Sequence, residues 1–599
     1  MAQAVADAIT NKRHLVVQAG TGTGKTLAYL VPAILSGKRI VVATATKALQ
    51  DQLVGKDLPF LAAHLDRPFT YSSLKGRANY LCLQRAREVL GGDEQLSISG
   101  VDPLADRAPR SELLALIEWG TETESGDRAE LVFEPSTNAW AALSVSAREC
   151  PGMARCPIGS ACFAERARAT AAEADVVVVN SYLYGMHLAH GKAVLPEHDI
   201  VVFDEAHQLE EVISSTAGIE LSGGSFTALA RSVKAIIADE RLVADLEASA
   251  GQLTDALATH HGQRIRSLDE VLTAAVEVGG GRVERALAAL RTVKSDVEEV
   301  ANRKLRATMM AMSLGVELAT VAAVPEGDVS WVEGPRHAPR LRVAPIDVAP
   351  VLEELWGEVT AVLTSATIPR TLPIRLGLPP DDHEQLDVGS PFDYGANALL
   401  YCAAHLPDPR ADGYEAAMHN ELEALILAAG GRTLALFTSW RAMDAAVLAL
   451  RERVPFPVLD QNSLPKPALV KAFSDDPTAC LFATMGFWQG VDVRGETLSL
   501  VTIDRLPFPR PDEPLLQARR ERAREGAFAM VDLPRAATML AQGVGRLIRS
   551  ATDRGVVAVF DPRLATARYR WEIVNALPPM RRTRERAEVE AFLEAIRDL

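Results

Sequence analysis

Short apolar runs alternate with stretches of helical spacing in the first part of the chain. Continuous apolar runs are typical of strands buried on both faces of a parallel sheet, and their alternation with helices is typical of a doubly wound α/β fold. Strands are predicted at 14–18, 39–44, 175–179 and 200–203, helices at 27–35 and 47–53, and a return of the chain to this lobe at 359–363. The pattern therefore predicts one α/β lobe that is interrupted twice.

The same alternation returns in the last third of the chain, whereas the segment 225–335 has a different pattern. Strands are predicted at 433–438, 479–484, 498–503 and 556–560, which gives a second parallel-sheet lobe over 376–599. Within 225–335, apolar residues recur at helical spacing at Val283, Ala286, Leu287, Leu290 and Val293. Such a stripe indicates helix packing, so we expect a helical insertion with no cofactor site and a turn at 279–281.

A glycine-rich loop follows the first predicted strand. Residues 19–26 read AGTGTGKT, with Ala19 where the strict phosphate-loop pattern has glycine. Glycine permits the backbone conformations in which consecutive N–H groups converge on phosphate oxygens at the start of a helix. Lys25 is expected to contact the β and γ phosphates of ATP, and the Thr26 hydroxyl to bind Mg²⁺. The predicted nucleotide-binding residues are Ala19, Gly20, Thr21, Gly22, Thr23, Gly24, Lys25 and Thr26.

A second phosphate-site signature, DEAH at 204–207, follows the apolar run 200–203. Asp204 and Glu205 therefore emerge at the carboxyl end of a buried strand, where open α/β sheets bind their ligands. We expect Asp204 to hold Mg²⁺ and Glu205 to orient and deprotonate the attacking water. His207 is expected to couple the site to its neighbours rather than to act as an acid or base.

A third signature, QGVGRLIR, lies near the end of the second lobe at 542–549. If the segment is helical, Arg546 and Arg549 lie on one face, because residues three apart are neighbours on a helix. Arg546 and Arg549 would then reach a nucleotide bound at the lobe interface, as arginine fingers do. The alternative is an ordinary pair of surface arginines.

Four of the six cysteines fall in one interruption of the first lobe, at about 76–168. Clustered thiols suggest a metal site in a chain without secretion signals. The last three are separated by five residues each, wider than the usual zinc knuckle, so the spacing favours a cubane iron–sulfur cluster over zinc. The predicted ligands are Cys82, Cys150, Cys156 and Cys162. Cys402 and Cys480 are expected to be buried core thiols.

The length and the net charge of the chain limit the number of domains and the classes of partner. A chain of 599 residues is long enough for three to five domains. The net charge of −15 argues against general coating of nucleic acid but permits a basic groove. No secretion signal is present, and no uninterrupted apolar run approaches the roughly 18 residues of a membrane span. We therefore expect a cytoplasmic protein with no membrane partner.

Two groups of residues are candidates for contacts with nucleic acid. Lys75, Arg77 and Tyr80 precede Cys82, and a basic and aromatic cluster at that place could bind phosphates and stack on a base. Tyr182 and Tyr184 follow the strand at 175–179 and are similar candidates. For each tyrosine, ordinary packing with a hydrated hydroxyl is an equal alternative.

A set of segments resembles, in content and order, the motifs of XPD-like superfamily 2 helicases and, within them, of the bacterial DinG/YoaA branch. The resemblance covers essentially the whole chain and is weakest in the helical insertion. Besides the cysteines, the segments are AGTGTGKT, TATKALQDQL (44–53), KGRANYLC (75–82), ADVVVVN (174–180), VVFDEAH (201–207), LTSATI (363–368), GSPFDY (389–394), FWQGVDVRG (487–495) and QGVGRLIR.

The resemblance implies two RecA-like motor lobes, with an iron–sulfur domain and a helical arch inserted in the first. The domains would be first lobe at 1–75, 169–224 and 336–375, iron–sulfur domain at 76–168, arch at 225–335 and second lobe at 376–599. By the same analogy the four cysteines hold a 4Fe–4S cluster. The resemblance also implies that the following residues act in ATP hydrolysis: Lys25, Thr26, Asp204, Glu205, Gln542, Arg546 and Arg549. Ser365 with Thr367, and Gly490 with Asp492 beside the nucleotide, would couple hydrolysis to the DNA groove.

The function implied by the resemblance is ATP-dependent unwinding of DNA with movement 5′ to 3′, in repair or in resolving replication obstacles. Its partners would be single-stranded and forked DNA, and beyond these RNA–DNA hybrids and replication or repair proteins. We expect the protein to be a monomer and to lie in the cytoplasm, associated with the nucleoid. Two alternatives remain open: an ATP-gated DNA-binding adaptor that does not unwind, and an iron–sulfur redox sensor built on a motor fold.

The sequence departs from the family pattern at three places. Only 18 residues precede Ala19, so the segment whose glutamine reads adenine in the family is expected to be incomplete. Gln489 stands where the family pattern FWEGVD has glutamate, which is expected to alter the coupling between lobes. No additional N-terminal nuclease domain precedes the first lobe, and we therefore expect no exonuclease activity.

Overall fold

The computed structural model describes residues 1–20, 22–90, 107–294, 298–324, 326–487 and 498–597. These residues form two compact units. The first unit contains residues 1–36, 202–208 and 360–599, and the second contains 37–201 and 209–359. The first unit therefore holds the phosphate loop, the DEAH segment and the predicted second lobe, whereas the second unit holds the four clustered cysteines and the helical insertion.

The described strands are numbered in chain order. They are β1 His14–Gln18, β2 Ile40–Thr44, β3 Tyr71–Ser73, β4 Val176–Asn180, β5 Ile200–Asp204, β6 Ile219–Ser222, β7 Arg264–Ile265, β8 Asp328–Glu333, β9 Arg340–Pro345, β10 Thr360–Ser365, β11 His383–Asp387, β12 Ala398–Cys402, β13 Thr433–Phe437, β14 Val458–Asp460, β15 Cys480–Thr484, β16 Leu500–Ile503, β17 Gly555–Val559 and β18 Arg581–Thr583. Each strand predicted from an apolar run coincides with one of these to within two residues.

The helices fill the intervals between the strands. The described α-helices are Ala2–Asn11, Lys25–Leu35, Lys47–Gln52, Leu58–His64, Leu83–Leu90, Arg110–Glu122, Thr137–Leu143, Phe163–Glu173, Ser181–Ala189, Leu209–Thr216, Gly223–Lys234, Glu240–Thr259, Glu270–Thr292, Glu298–Ala323, Ala349–Glu358, Leu372–Arg375, Tyr394–Asn397, Tyr414–Ala429, Trp440–Leu450, Lys466–Asp475, Pro514–Ala523, Leu533–Val544, Arg563–Thr566, Arg570–Val574 and Arg586–Arg597.

The parallel sheets confirm the predicted α/β class with two RecA-like lobes. In the first unit, the neighbouring strands β11, β1 and β10 pair in parallel, and a complete second-lobe sheet has the order β14-β15-β13-β16-β17-β12-β18. In the second unit, β2, β4 and β3 are parallel neighbours. Strands β1, β2, β4 and β5 are buried over nearly their whole length, as their continuous apolar runs require.

The second lobe begins later than the predicted boundary at residue 376. Strand β11 pairs with β1, so the first sheet extends at least to Asp387. The sequence pattern missed β11 because it reads HEQLD and lies at the edge of its sheet, where most of its side chains are exposed. An edge strand of this kind carries no apolar run by which it could be recognised.

The helical insertion in the second unit is accompanied by a small antiparallel sheet that the sequence pattern did not predict. Strands β6, β9, β8 and β7 form this sheet, and four long helices between Gly223 and Ala323 pack with it around one apolar core. Val283, Ala286 and Leu290 lie in this core, which confirms that the apolar stripe is a packing surface.

The last helix of the insertion also has the composition of a membrane span. Residues Val300–Ala323 have a mean hydropathy of 1.2 over the best window and are long enough to cross a bilayer. One such helix is weak evidence, because core helices meet the same criteria. Ala307, Ala311, Leu314 and Leu318 of this helix belong to the core of the insertion.

The prediction of a turn at 279–281 is wrong. Gly279, Gly280 and Gly281 lie inside the helix Glu270–Thr292. At Gly279, a Cβ atom would lie 2.7 Å from Cζ of the buried Phe226 ring, so the glycine allows two helices to approach closely. At Gly281, a Cβ atom would meet nothing within 4 Å.

We expect Gly279→Ala to lower the stability of the protein and Gly281→Ala to raise it. Alanine at 281 gains about 0.5–1 kcal/mol of helix propensity over glycine. At 279 the same gain is outweighed by overpacking against Phe226, which typically costs about 1–3 kcal/mol. Thermal unfolding of both variants under one set of conditions measures the difference, and equal increases in Tm would contradict the close approach.

Candidate functional site

The phosphate loop connects β1 to the helix Lys25–Leu35. The backbone N–H of Ala19 donates to Ser365 O at 2.9 Å, which anchors the start of the loop on β10. Gly22 and Gly24 have φ angles of 76° and 70°, in the left-handed region that favours glycine. No side chain caps the helix at Gly24, so its first N–H groups are available for a phosphate. Thr21 lies outside the described residues.

Phe392, to which the sequence pattern assigned no individual role, packs directly on this loop. A Cβ atom at Gly22 would lie 2.3 Å from Cζ of the Phe392 ring, so that position requires glycine for space as well as for its φ angle. The neighbouring Gly20 N–H donates to Gly389 O at 3.2 Å. Segment 389–392 thus holds the loop in place. The GSPFDY motif is the feature of the sequence by which this segment could have been recognised.

Lys25, Asp204 and Glu205 come together at the end of β5, as predicted. Lys25 Nζ lies 2.9 Å from Asp204 Oδ1 and 3.1 Å from Glu205 Oε1. The Tyr29 hydroxyl donates to Asp204 Oδ2 at 3.3 Å, and it comes from the helix that begins at Lys25. Glu205 itself has a φ angle of 58°, an uncommon conformation for a non-glycine residue.

Burial and opposite charge compete in setting the protonation of these groups. Burial lowers the pKa of Lys25, but the carboxylates of Asp204 and Glu205 outweigh it and hold that pKa above its usual value. Burial raises the pKa of Asp204 in spite of the nearby lysine. For Glu205, burial acts upward, but Lys25 and His207 outweigh it and hold its pKa below its usual range. Glu205 is therefore an anion suited to orienting a water molecule.

A hydrogen-bonded chain leads from Glu205 to the second lobe. The Ser365 hydroxyl donates to Glu205 Oε2 at 3.0 Å, and His207 Nδ1 lies 2.8 Å from the same hydroxyl. On its other side, His207 Nε2 contacts Gln542 Nε2. All donors and acceptors match if His207 carries its proton on Nδ1: Gln542 donates to His207, His207 to Ser365, and Ser365 to Glu205. This arrangement supports the expected coupling roles of His207 and Ser365.

The arginines of the third signature do not share a helix face. The helix Leu533–Val544 contains Gln542 but ends before Arg546 and Arg549. The backbone N–H of Arg549 donates to Asp553 Oδ2 at 2.7 Å, within the loop that follows the helix. The proposed contact of both arginines with a nucleotide stays a prediction. Gly490 and Asp492 lie outside the described residues, as does Gln489.

The donor set at the end of β5 fits Mg²⁺. Asp204 offers carboxylate oxygens and Thr26 a hydroxyl in the first turn of the adjoining helix, and oxygen ligands of this kind suit Mg²⁺. Asp204 is only 2% exposed, and Lys25 and Tyr29 hold its two oxygens in fixed positions. Such an ion would neutralise phosphate charge and orient the nucleotide when ATP is bound.

The four clustered cysteines line one cavity in the second unit. Cys82, Cys150, Cys156 and Cys162 are free thiols and half-buried, and all four contribute to its wall. Within the described ranges, no three His, Cys, Asp or Glu side chains are close enough to bind a single metal ion. The four thiols are distributed around the wall of the cavity.

Unpaired donors in the cavity wall fit an anionic group with sulfur acceptors. Arg77, Asn302 and Arg306 line the cavity, and each has a buried nitrogen without a hydrogen-bond partner: Arg77 Nη1, Asn302 Nδ2 and Arg306 Nη1. An unpaired buried donor costs about 1–3 kcal/mol, and more if it is charged. A 4Fe–4S cluster on four thiolates is anionic and accepts hydrogen bonds at its sulfurs, so the donor set fits such a cluster.

Four of the five residues predicted to contact nucleic acid are engaged within the protein: Lys75, Tyr80 and Tyr184 are buried and Arg77 is half-buried. Lys75 pairs with Asp127 at 2.7 Å, and Arg77 with Glu165 at 2.6 Å. The Tyr80 hydroxyl accepts from the Lys75 backbone N–H, and the Tyr184 hydroxyl bonds to His198. The burial of Tyr80 and Tyr184 agrees with the packing alternative for these two tyrosines, and the contacts of Lys75 and Arg77 with nucleic acid stay a prediction. Tyr182, at 54% exposed, is the remaining candidate.

Comparison with known proteins agrees with the fold and the site. A DEAD/DEAH box helicase model matches residues 1–76, a DEAD_2 model matches 156–226 and a helicase C-terminal domain model matches 422–580. A solved XPD helicase structure superposes with a TM-score of 0.62 at 16% identity and 98% coverage of both chains, which supports the fold alone.

The fold and the site together define a two-lobed, ATP-dependent helicase. The chain is 42% identical to the ATP-dependent helicase DinG of Mycobacterium tuberculosis, over 100% of this chain and 94% of the relative. It is 35% identical to the ATP-dependent DNA helicase YoaA of Escherichia coli, over 99% and 95%. The protein belongs to the DinG/YoaA family of ATP-dependent helicases.

We expect Ser365→Ala to lower the kcat of ATP hydrolysis about tenfold with little change in KM. A hydrogen bond to a charged group contributes about 1.5–3 kcal/mol, and 1.36 kcal/mol corresponds to tenfold in rate. Steady-state ATPase assays measure both constants. Ser72→Ala is the matched control, because Ser72 is also a buried strand serine but its hydroxyl has no partner. A raised KM at unchanged kcat would place Ser365 in nucleotide binding instead.

Proposed function

We propose that the protein is an ATP-dependent DNA helicase that moves 5′ to 3′ along single-stranded DNA and acts in repair or in the resolution of replication obstacles. The observation that carries this proposal is the chain of contacts from Lys25 and Glu205 through Ser365 and His207 to Gln542. It joins the residues that would sense the γ phosphate to the second lobe, as a motor that closes its lobes on ATP requires.

A basic cavity in the second unit supports DNA as the substrate. It is lined by Arg85, Arg231, Arg303 and Arg306 together with the carboxylates Glu88 and Glu149. Arginines concentrated in a groove bind phosphates even on a protein of net negative charge. The cavity lies beside helix Glu298–Ala323 of the arch and helix Leu83–Leu90, which follows Cys82, so DNA bound here would contact both domains.

The cofactors of the proposed activity are Mg²⁺ with ATP as substrate, and a 4Fe–4S cluster on Cys82, Cys150, Cys156 and Cys162. The cluster would serve as a structural support for the DNA path. The cavity that these thiols line and the unpaired donors in its wall support the assignment. We further propose that the protein works as a monomer at the nucleoid, on single-stranded and forked DNA and on RNA–DNA hybrids, with replication or repair proteins as partners.

Unwinding of a forked duplex tests the activity and its direction. Wild-type protein is expected to separate a fork with a 5′ tail and not one with a 3′ tail, and Lys25→Ala is expected to lose the activity. Lys471→Ala is the matched control, because Lys471 is an exposed lysine on the helix Lys466–Asp475. Equal strand separation by wild type and Lys25→Ala would overturn the proposal. DNA binding that depends on nucleotide without turnover would favour the adaptor alternative.

A second test separates the cluster from the motor. Cys156→Ser is expected to lose the visible absorption of the cluster and to impair fork opening more than ATP binding. Cys402→Ser is the control, because Cys402 does not line the cysteine cavity and a serine can still donate to Asp561 O. Absorption spectra, nucleotide affinity and unwinding are measured on the same anaerobic samples. Intact unwinding after loss of the cluster would contradict the structural role.

A further inference from the structure

Two of the unpaired donors in the cysteine cavity come from the helical insertion and not from the iron–sulfur domain. Asn302 and Arg306 lie on helix Glu298–Ala323, and residues four apart occupy the same face of a helix. Both line the cavity together with the four cysteines, which are supplied by the chain between residues 82 and 162. The cavity is therefore completed by a second domain.

Arg306 is held in place by one nitrogen while another remains unpaired. Its Nη2 lies 2.6 Å from Glu88 Oε2, and the Glu88 side chain is only 3% exposed. Glu88 belongs to helix Leu83–Leu90, which begins directly after Cys82. Arg306 Nη1 is buried and has no partner. The ion pair thus fixes a guanidinium whose second nitrogen has no acceptor among the residues that the structure describes.

Asn302 also has a buried nitrogen without a hydrogen-bond partner, but its side chain is uncharged. The residue is 9% exposed, and its Nδ2 atom is buried without a partner. Buried side-chain donors are nearly always paired in folded proteins, so two unpaired donors one helical turn apart at one cavity point to a missing acceptor. Thiolate and sulfide sulfurs accept hydrogen bonds, and a cluster that carries them is negatively charged.

We propose that Asn302 and Arg306 donate N–H hydrogen bonds from the arch helix to the sulfurs of the cluster and thereby raise its reduction potential. This inference rests on the proposed 4Fe–4S cluster. In the step concerned, the cluster takes up one electron from an external reductant, and no bond is made or broken. The added negative charge is stabilised by a guanidinium and an amide donor, which favours the reduced form.

The same contacts make the position of the arch helix dependent on the cluster. Coupling between two equilibria is reciprocal: if the helix favours the reduced cluster, the reduced cluster holds the helix more tightly. Arg148 and Glu317, at 2.9 Å, form a further ion pair between this helix and the cysteine region. Arg306 and Asn302 are positioning residues in this scheme, because they act on the cluster and not on ATP.

Redox titration of the anaerobic protein with dithionite, followed by visible absorption and electron paramagnetic resonance, tests the proposal. At the wild-type midpoint potential, Arg306→Gln is expected to lower the ratio of reduced to oxidised cluster about tenfold, which is about 59 mV for one electron. Asn302→Leu, which keeps the side-chain size, is expected to lower the ratio about threefold. Arg241→Gln, on the exposed face of helix Glu240–Thr259, is expected to change nothing.

Glu88→Gln separates this role from a structural one. It breaks the same ion pair as Arg306→Gln but removes a negative charge, so the proposal expects the ratio of reduced to oxidised cluster to rise. Loosening of the domain contact alone would move both variants in one direction, and that outcome overturns the proposal. If Arg306→Gln loses its cluster during purification, Asn302→Leu carries the test, because Asn302 belongs to no ion pair among those the structure describes.

The outcomes distinguish this inference from the proposed function. Wild-type protein without iron and without visible absorption would remove the cluster and this inference with it. A loaded wild type whose midpoint is shared by Arg306→Gln and Asn302→Leu would overturn the inference and leave the helicase proposal intact. Iron content per chain, measured for every variant, ensures that potentials are compared between loaded proteins.

Discussion

The attraction between Lys25 and the two carboxylates after β5 is the interaction on which the site depends. It joins the phosphate loop to the DEAH segment and keeps three charges in a buried place where each alone would be unfavourable. Because burial opposes every charge there, the pKa values of Lys25 and Glu205 are set by their partners rather than by solvent. The same cation and anions are suited to exchange this pairing for phosphate and Mg²⁺.

From that centre the structure extends in two directions. Ser365 and His207 connect Glu205 to Gln542 through hydrogen bonds. A displacement of Glu205 would therefore also displace residues of the second lobe. On the other side of the loop, Phe392 packs against Gly22 and ties the loop to the segment that leads into β12. Both connections are short. Ser365, in the first of them, is fully buried, and close-packed interiors transmit displacements rather than absorb them.

In the second unit, ion pairs also join distant parts of the chain, but around the cavity that the cysteines line. This cysteine cavity is bounded by side chains from the cysteine region and from the helix Glu298–Ala323, and ion pairs hold the two together. The arginines of the neighbouring cavity would bind DNA phosphates next to these contacts. Arg306 lines both cavities and pairs with Glu88. A bound cluster, Glu88 and a DNA phosphate would then share or compete for its positive charge.

The sequence by itself determined the two parallel sheets, the phosphate loop, the carboxylates after β5 and the four cysteines, because apolar runs and short motifs depend on residues that are neighbours in the chain. It failed where distant segments meet. The polar edge strand β11, the uninterrupted helix through Gly279 and the buried state of Tyr80 depend on partners elsewhere in the chain. Likewise, only the tertiary structure placed Gln542 against His207 and Asn302 beside the cysteines, because neither pattern nor spacing records which remote side chains share a cavity.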